Sequence, residues 1–403
     1  MFLLKFIDYY TIGYPILMSI LWSVGAYFSR IKYTKQESLK SYPKVSIVLS
    51  AYNEEETIQE AMSALKQLAY PNLEIIVVDD KSTDNTLMLL EQIKEGFSKE
   101  KELKILAQQK NGGKATALNT ALEMVSGKYL LVLDADALLA PNSVEILAAE
   151  LESSSIIGAV TGKPVVRNRS TLLGKLQTLE YVGIIDGIKR TQTFMLGAIM
   201  TVSGVIVMYR VSSLKEVGGF NPEVMTEDID VTWKLHRAGW RVTYNCRALS
   251  YILVPERYFS LLKQRKRWSI GGLEVLLGNF SWVMGGGDLN YKLLLGEMIL
   301  SHLWGWTFVF STFNYLVATY FRQELHVAGG VVVLFILLSI LLFWIGVNGD
   351  ENDSQLKLQD KLTVPVYLMF YWLTNLISAI SSEFAVITGK TSKGKWESPD
   401  RGV

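Results

Sequence analysis

The sequence predicts an α/β domain with a mostly parallel sheet, joined to α-helical transmembrane and interfacial segments. Strand-like and helix-like patterns alternate from residue 45 to about residue 251, as they do in α/β domains. Continuous β-branched and aliphatic runs, such as residues 75–78 and 130–133, indicate strands that are covered on both faces. Long uncharged runs near both ends of the chain predict the membrane segments.

The first uncharged run covers residues 11–28, which is long enough to span a bilayer at about 1.5 Å per residue. It is followed by Arg30, Lys32 and Lys35, and such positive charges favour the cytoplasmic side. Since no small-residue cleavage site follows the run, we predict a retained anchor at residues 1–35 rather than a signal peptide. The α/β domain, at residues 36–255, is then cytoplasmic.

Three further apolar spans are predicted at residues 293–321, 327–347 and 362–388, within a membrane domain at 291–389. Before them, residues 258–284 mix leucines and Trp268 with four cations, which is typical of a helix in the membrane interface. A soluble amphipathic helix that covers the α/β domain is the alternative. This interfacial domain, at residues 256–290, includes three consecutive glycines that end the helix. The polar tail at 390–403 carries lysines that favour the cytoplasm, whereas four spans would place it outside, so its side stays open.

Composition excludes several other classes. The 403 residues carry a net charge of +1, which gives no argument for nucleic-acid binding. Mean hydropathy is +0.22 although 20% of residues are charged, so the apolar residues must be concentrated in segments. The single cysteine, Cys246, excludes a disulfide framework and a cysteine-based zinc site. The three histidines are too scattered along the chain to suggest a metal cluster.

Two predicted strands run directly into pairs of acidic residues. Asp79 and Asp80 end one strand, and Asp134 and Asp136 follow another. Ligands of parallel α/β sheets bind just beyond the carboxyl ends of the strands. Carboxylates suit Mg²⁺ or Mn²⁺, which bind through one or two of them together with substrate phosphates. The pairs therefore predict a divalent cation and a polyphosphate, although an isolated Asp-x-Asp is also found in solvated turns.

Three other motifs carry weaker signals. The Gly-Gly-Lys sequence ending at Lys114 opens a predicted helix, where glycines and a lysine suit a phosphate. Thr226-Glu227-Asp228 is typical of a helix N-terminus, and the same place can present a general base. Gln264, Arg267 and Trp268 combine an amide, a cation and an indole, which a simple interfacial anchor would also explain.

The order of these motifs resembles that of the processive inverting family 2 glycosyltransferases, which include cellulose, chitin and hyaluronan synthases. The order is double Asp, Gly-Gly-Lys, Asp-x-Asp, Thr-Glu-Asp and Gln-x-x-Arg-Trp before membrane spans, over about residues 45–270. Within that family the sequence is most similar to the bacterial poly-β-1,6-N-acetyl-D-glucosamine synthases. The narrower likeness rests on residues 167–170, 174–181, 188–190, 201–204, 226–230 and 396–402.

The resemblance implies a GT-A fold and the role of each motif. Asp228, Glu227 and Asp136 form the catalytic group, with Asp228 as the base. Asp134 and Asp136 hold the metal, and Gln264, Arg267 and Trp268 bracket the diphosphate and the acceptor sugar. The residues implied to line the nucleotide pocket are Tyr52, Glu54, Asp79, Asp80, Lys114 and Asp134.

The resemblance also implies that UDP-GlcNAc is polymerised into a biofilm exopolysaccharide, poly-β-1,6-N-acetylglucosamine, at the cell membrane. The implied partners are the growing polysaccharide, membrane lipid and a small membrane accessory subunit. A hyaluronan- or chitin-type synthase and a nonprocessive lipid-carrier glycosyltransferase are the alternatives. A non-enzymatic scaffold or transporter is disfavoured because every acidic motif position is intact. Polar residues within the spans are expected to face an export channel or to bond helices together; they are Glu297, His302, Asn314 and Asn375.

Overall fold

The computed structural model describes residues 2–32, 39–97, 101–322, 337, 340–341, 343–347, 350 and 356–389. Lys35, most of the span predicted at residues 327–347 and the whole tail at 390–403 lie outside the described residues.

One mixed sheet forms the centre of the α/β domain and confirms the predicted fold class. Its order is β3-β2-β1-β4-β7-β6-β8-β5. Pairing is parallel from β3 to β4 and between β6 and β8, whereas β7 is antiparallel to both its neighbours and β5 is antiparallel to β8. The strands are β1 (Val45–Ala51), β2 (Leu73–Asp79), β3 (Lys101–Ala107), β4 (Tyr129–Asp134), β5 (Leu138–Leu139), β6 (Ile157–Val166), β7 (Ile206–Arg210) and β8 (Arg241–Ile252).

The register of the parallel strands places the acidic residues at one edge. Ala51 at the end of β1 is paired with Asp79, and Ser50 is paired with Asp134. Strands β1 and β2 are buried along their whole length, as their aliphatic sequences predict. Helices cover both faces, so the core is divided into an apolar cluster on each side of the sheet.

Helices connect the strands and continue into the membrane region. The helix before the sheet, in the predicted anchor, is α1 (Phe2–Lys32). In the α/β domain the helices are α2 (Ile58–Lys66), α3 (Thr86–Lys94), α4 (Lys114–Met124), α5 (Ser143–Ser153), α6 (Leu172–Glu180), α7 (Gly187–Leu196), α8 (Val211–Glu216) and α9 (Glu227–Arg237). After the sheet they are α10 (Tyr258–Gly286), α11 (Leu289–Arg322), α12 (Leu358–Lys361), α13 (Val364–Val366) and α14 (Trp372–Ile387).

Two wide π-helical turns interrupt this pattern. One, Tyr181–Asp186, joins α6 to α7, and the other, Tyr367–Tyr371, leads into α14. Single π turns inside helices are frequent at functional sites. Tyr181 of the first turn packs on the same apolar cluster as β1 and β4.

Within the part of the chain that the structure describes, three helical segments are long and apolar enough to cross a membrane: Leu4–Ser29, Leu289–Phe321 and Leu358–Ile387. They agree with three of the four predicted spans. The predicted interfacial stretch forms a single helix, α10, that ends at Gly286 within the predicted glycine break. Helix α10 packs along α14 and also contacts α9 and α11, so it joins the α/β domain to the membrane region.

Candidate active site

A cavity of about 540 Å³ opens at the carboxyl edge of the sheet. Eight of the twelve residues that the sequence analysis assigned to the site lie in its wall: Lys114, Asp134, Asp136, Glu227, Asp228, Gln264, Arg267 and Trp268. Its wall does not include the other four, which are Tyr52, Glu54, Asp79 and Asp80. The acidic and Gln-x-x-Arg-Trp motifs, which are far apart in sequence, therefore share one space.

Lys114, the first residue of α4, lies between two of the acidic motifs. Its Nζ is 2.6 Å from Asp134 Oδ1 and 3.3 Å from Glu227 Oε1. It also donates a hydrogen bond to the carbonyl oxygen of Gly204, at 3.2 Å. Burial by itself would lower the pKa of Lys114, but the nearby charges of Asp134, Glu227 and Asp228 raise it above its ordinary value. The ammonium is therefore charged.

Asp136 is the more deeply buried member of the Asp-x-Asp pair, with 8% of its surface exposed. Burial, followed by the charge of Asp134, raises its pKa to about 7, and Lys114 and Arg167 offset this only in part. Two adjacent carboxylates with too little positive charge around them fit a divalent cation. No group of three or more metal-binding side chains occurs within the described part of the chain. The pair would therefore leave the remaining coordination positions to water and phosphate, as Mg²⁺ sites commonly do.

Asp228 lies in the first turn of α9. Thr226 precedes the helix in an extended conformation, and the acidic first turn suits the positive end of the helix dipole. Asp228 Oδ2 accepts the Gly204 N–H at 3.1 Å, and Oδ1 accepts the Ile229 N–H at 2.9 Å. Burial and the charge of Glu227 raise the pKa of Asp228 to about 6, although Lys114 and Arg267 act in the opposite direction. Such a carboxylate can accept a proton near neutral pH.

Gln264, Arg267 and Trp268 lie on one face of α10, because positions three and four apart are neighbours on a helix. Among the described residues, nothing hydrogen-bonds to the buried Gln264 Oε1 or Arg267 Nε. Buried polar atoms are normally paired. Since both residues line the cavity, a polar ligand there would supply the missing partners.

A buried ionic network, which the sequence motifs did not predict, lies behind Trp268. The guanidinium carbon of Arg265 is 4.1 Å from the centroid of the Trp268 ring, and the same guanidinium donates to Glu180 at 2.6 Å. Glu180 also accepts hydrogen bonds from the Tyr371 hydroxyl at 2.9 Å and from Asn375 Nδ2 at 2.8 Å. The network thus fixes the indole to α6 on one side and to the last membrane segment on the other.

Lys189 is a second lysine in the cavity wall that had no assigned role. It lies on α7, is 6% exposed and donates to Ser203 Oγ at 2.5 Å. Burial lowers its pKa to about 8, although the charges of Asp228 and Asp186 act in the opposite direction. Its only sequence signal was its place in the 188–190 stretch that supports the resemblance.

The double Asp has a different setting from the Asp-x-Asp pair. Asp80 Oδ1 and Oδ2 accept the backbone N–H groups of Gly112 and Gly113 at 2.8 and 2.7 Å. Gly113 has φ +82°, a left-handed conformation that favours glycine. Asp80 therefore fastens the loop that precedes Lys114. Asp79 Oδ2 accepts the Ser82 N–H at 3.2 Å.

Glu54 and Tyr52 lie in the loop after β1. Glu54 is buried, and its Oε2 accepts a hydrogen bond from the Thr57 hydroxyl at 2.9 Å. Its backbone N–H donates to Thr86 Oγ1 at 2.7 Å, which joins this loop to the start of α3. Tyr52 is partly exposed beside it. Tyr52 and Glu54 therefore lie at the carboxyl edge of the sheet, near the ends of β1 and β2 and next to Asp79 and Asp80.

A larger cavity, of about 930 Å³, lies between α1, the first π turn, α11 and α14. It shares Ser269 and Asn375 with the catalytic cavity. His302 and Asn375 line it, as expected for polar residues inside spans. Glu297 is not in its wall and accepts a hydrogen bond from Gln192 at 3.0 Å, and Asn314 is exposed on α11. The expected grouping around a channel therefore includes two of the four residues.

Comparison with known proteins agrees with this geometry. The Glycosyl transferase family 2 model matches residues 46–218. The chain is 35% identical to a poly-beta-1,6-N-acetyl-D-glucosamine synthase of Staphylococcus epidermidis, over 96% of this chain and 97% of that protein. It is 34% identical to the synthase of the same name from Staphylococcus aureus strain COL, with the same coverage.

The fold is shared with a solved enzyme structure. It is the mannosyltransferase PcManGT from Pyrobaculum calidifontis in complex with GDP-Man and Mn²⁺, with a TM-score of 0.69 and 20% identity. The match covers 96% of this chain and 99% of that one. At this identity the likeness shows the fold, including the helices outside the sheet, and no more.

Proposed function

Because the chain belongs to the poly-β-1,6-N-acetyl-D-glucosamine synthases, within the family 2 glycosyltransferases, we propose that it polymerises N-acetylglucosamine from UDP-GlcNAc. The observation that carries the proposal is the single cavity that holds Asp228, the Asp-x-Asp pair and the Gln-x-x-Arg-Trp face of α10. These are a base, a site for a metal and diphosphate, and a platform for an acceptor sugar.

The reaction is a direct displacement with inversion. The carboxylate of Asp228 takes the proton of the acceptor hydroxyl, C6–OH for a β-1,6 product. The hydroxyl oxygen then forms a bond to the anomeric carbon of the donor, on the face opposite UDP. The bond from that carbon to the diphosphate oxygen breaks, and the α-linked donor becomes a β linkage. Such a base contributes typically about 10²–10⁴-fold to a rate.

Asp228 suits the role of base better than Glu227 does. Glu227 Oε1 lies 3.3 Å from the ammonium of Lys114, so its carboxylate is already engaged by a cation. Asp228 has a raised pKa of about 6 and is held by two backbone N–H groups that fix its direction. We assign Glu227 to the positioning of Lys114 beside the base.

Asp134 and Asp136 would hold a divalent cation, which supplies positive charge for the diphosphate as it leaves. Arg267, with its buried Nε, would contact the same diphosphate, and Lys114 would contact the nucleotide. The Mn²⁺ in the complex of PcManGT supports metal dependence in this fold. The choice between Mg²⁺ and Mn²⁺ is left to experiment.

Trp268 would bind the acceptor end of the polymer. Arg265 covers one face of the indole, so the other face is the one on which a sugar ring can stack. The nucleotide would extend toward the loop that Asp80 fastens, with Tyr52, Glu54 and Asp79 at its uridine end. The larger cavity, which shares Ser269 and Asn375, would take the polymer away.

The proposal also covers the surroundings of the enzyme. The α/β domain at residues 36–255 would be cytoplasmic, where UDP-sugars are made, with the anchor at 1–35, the interfacial part at 256–290 and membrane helices at 291–389. Membrane lipid would surround the apolar helices, and a small membrane subunit would assist export. The polar tail is residues 390–403.

The test uses purified full-length protein in lipid nanodiscs with radiolabelled UDP-GlcNAc and Mg²⁺. We expect polymer of β-1,6-linked N-acetylglucosamine, identified by linkage analysis, and no polymer in excess chelator. Parallel reactions add UDP-glucuronic acid or replace UDP-GlcNAc by UDP-glucose. Incorporation of a second sugar would show a hyaluronan-type synthase, β-1,4 linkage a chitin-type one, and transfer of a single sugar to lipid a nonprocessive enzyme.

A further inference from the structure

The Lys114 ammonium interacts with four carboxylates of the cavity wall, those of Asp134, Asp136, Glu227 and Asp228. Lys114 contacts Asp134 and Glu227 directly, and its charge also lowers the pKa of Asp136 and of Asp228. Its side chain is 15% exposed, so water screens these interactions only in part. Lys189, Arg265 and Arg267 also line the cavity, but Arg265 is paired with Glu180 and Lys189 donates to Ser203. Lys114 is the cation bonded to a carboxylate that we assign to the metal.

The contact with Asp134 has a consequence for the metal. Lys114 Nζ is 2.6 Å from Oδ1 of Asp134, an atom of the carboxylate assigned to the cation. Ion–oxygen bonds in Mg²⁺ sites are about 2.0–2.1 Å long. A divalent ion at that oxygen and an ammonium within hydrogen-bond distance of it would repel each other strongly.

We propose that Lys114 holds the cation site of the unloaded enzyme and leaves it when the metal arrives with the nucleotide. This inference rests on the proposed function of the same site. The flexible four-carbon stem of lysine allows the move. The destination is close at hand, because Gly112 and Lys114 both line the cavity, and the ammonium at the start of α4 can pass from Asp134 to the diphosphate.

The device couples metal and nucleotide binding. Without nucleotide, Lys114 competes with the metal for Asp134, and free metal binds weakly. With nucleotide, the diphosphate offers the ammonium a new partner and the metal new ligands. Linkage requires that each ligand strengthen the other by the same factor. A lysine with a purely structural role, bridging β4, Gly204 and α9, predicts the opposite effect of its removal, because the metal site would then be disordered.

The test measures Mn²⁺ binding to full-length protein in nanodiscs by the electron paramagnetic resonance signal of free Mn²⁺, with and without UDP. Wild type should bind Mn²⁺ weakly alone and tightly with UDP. Lys114→Met should bind Mn²⁺ without UDP at least about tenfold more tightly than wild type, since a unit charge at such a distance from a cation is worth more than this at an effective dielectric constant of about 20. The gain from added UDP should be smaller in this variant.

Three controls keep the result decisive. Lys114→Arg keeps the charge and should keep the weak binding of Mn²⁺ alone. If Lys114→Met fails to fold, Lys114→Gln removes the same charge and takes its place as the test variant. Lys189→Met removes the other buried lysine of the same cavity, which donates to Ser203 rather than to Asp134, and should raise Mn²⁺ affinity by a smaller factor than Lys114→Met does. Size-exclusion profiles check the fold of each variant.

Two results would overturn the inference, and they are distinguishable. If wild type binds Mn²⁺ with UDP but Lys114→Met shows unchanged or weaker binding without UDP, the lysine is structural and the proposed function stands. If wild type binds no Mn²⁺ even with UDP, the metal assignment in the proposed function fails together with this inference.

Discussion

Two buried carboxylates, one at each edge of the sheet, behave in opposite ways. Glu74 lies at the start of β2 and is fully buried. It accepts hydrogen bonds from the Ser46 hydroxyl, from the Ser126 N–H at 2.7 Å and hydroxyl at 2.8 Å, and from Lys104 at 3.1 Å. Burial would raise the pKa of Glu74, yet these donors lower it to about 2.

Asp228, at the opposite edge, has two backbone donors and an acidic neighbour in Glu227, and its pKa rises to about 6. The difference shows that burial alone does not decide the state of a carboxylate. The hydrogen-bond donors and charges around a buried carboxylate decide whether its pKa falls or rises. Glu74, which has many hydrogen-bond donors, holds strands together. Asp228, which has fewer donors and an acidic neighbour, keeps affinity for a proton and can act as a base.

The largest effect should come from Asp228→Asn, which removes the base and keeps the size. We expect polymer synthesis to fall by about 10²–10⁴-fold with UDP binding kept, because the amide cannot take the proton. Rates with radiolabelled UDP-GlcNAc and UDP affinity by calorimetry measure both quantities. Near-normal polymer synthesis by this variant would show that Asp228 is not the base, and the functional difference between Asp228 and Glu74 would then fail.

Lowering the pH should reproduce part of that loss in the wild type. Because the pKa of Asp228 is about 6, kcat/KM should rise with pH through this region and level off above it, losing about tenfold per unit on the acid side. The measurement is kcat/KM for UDP-GlcNAc between pH 5 and 8 (roughly the range in which such groups titrate). A flat profile through pH 6 would contradict the assignment.

Asp80→Asn tests an intermediate case, a buried carboxylate with two backbone donors and a raised pKa. The side-chain amide of the variant would then turn its NH₂ group toward the backbone N–H of Gly112 or Gly113, which would lose its acceptor. An unsatisfied buried donor costs about 1–3 kcal/mol. Since the affected loop carries Lys114, we expect KM for UDP-GlcNAc to rise about tenfold with little change in kcat. A large loss of kcat at constant KM would instead make Asp80 part of the reacting group.

The smallest effect on activity should come from Glu74→Gln. We expect kcat within about threefold of wild type and an unfolding free energy lower by about 1–3 kcal/mol, since the variant loses charge-assisted hydrogen bonds. The folded-state pKa of Glu74 lies below its unfolded value of 4.5, so its stabilising effect is present above that pH and is lost as the pH falls toward 2. Thermal unfolding at pH 7 and pH 3 checks the sign (the variant should differ less from wild type at pH 3).

The sequence predicted the parts of the site that follow local rules. Asp134 and Asp136 come directly after an aliphatic strand, and a parallel sheet brings such ends together whatever the rest of the chain does. The α/β class and three membrane-length helices followed from periodicity and length in the same way. Antiparallel β7, between β4 and β6, has no such local signature, because pairing direction depends on long-range topology.

The missed residues are those whose roles come from distant partners. Glu180 meets Arg265, Tyr371 and Asn375, which lie 85, 191 and 195 positions away. One signal was present: a glutamate within the otherwise uncharged stretch of residues 176–185 must be paired if it is buried. The sequence also could not show that Asp79 and Asp80 lie outside the cavity wall. The place of Asp80 depends on its hydrogen bonds with the backbone N–H groups of Gly112 and Gly113, which are 32 and 33 positions away.

The first π turn lets the helix from α6 to α7 carry an extra residue. Glu180 before it faces the ionic network, and Lys189 after it faces Ser203. Hydrogen bonds close over four residues in an α-helix and over five in a π turn, so one wide turn covers about the same rotation as one ordinary turn. Deleting a single residue from Tyr181–Asp186 would let an ordinary helix form and would leave Glu180 and Lys189 on their present faces. The wide turn is therefore the place where this segment can gain or lose a residue without moving either side of the cavity.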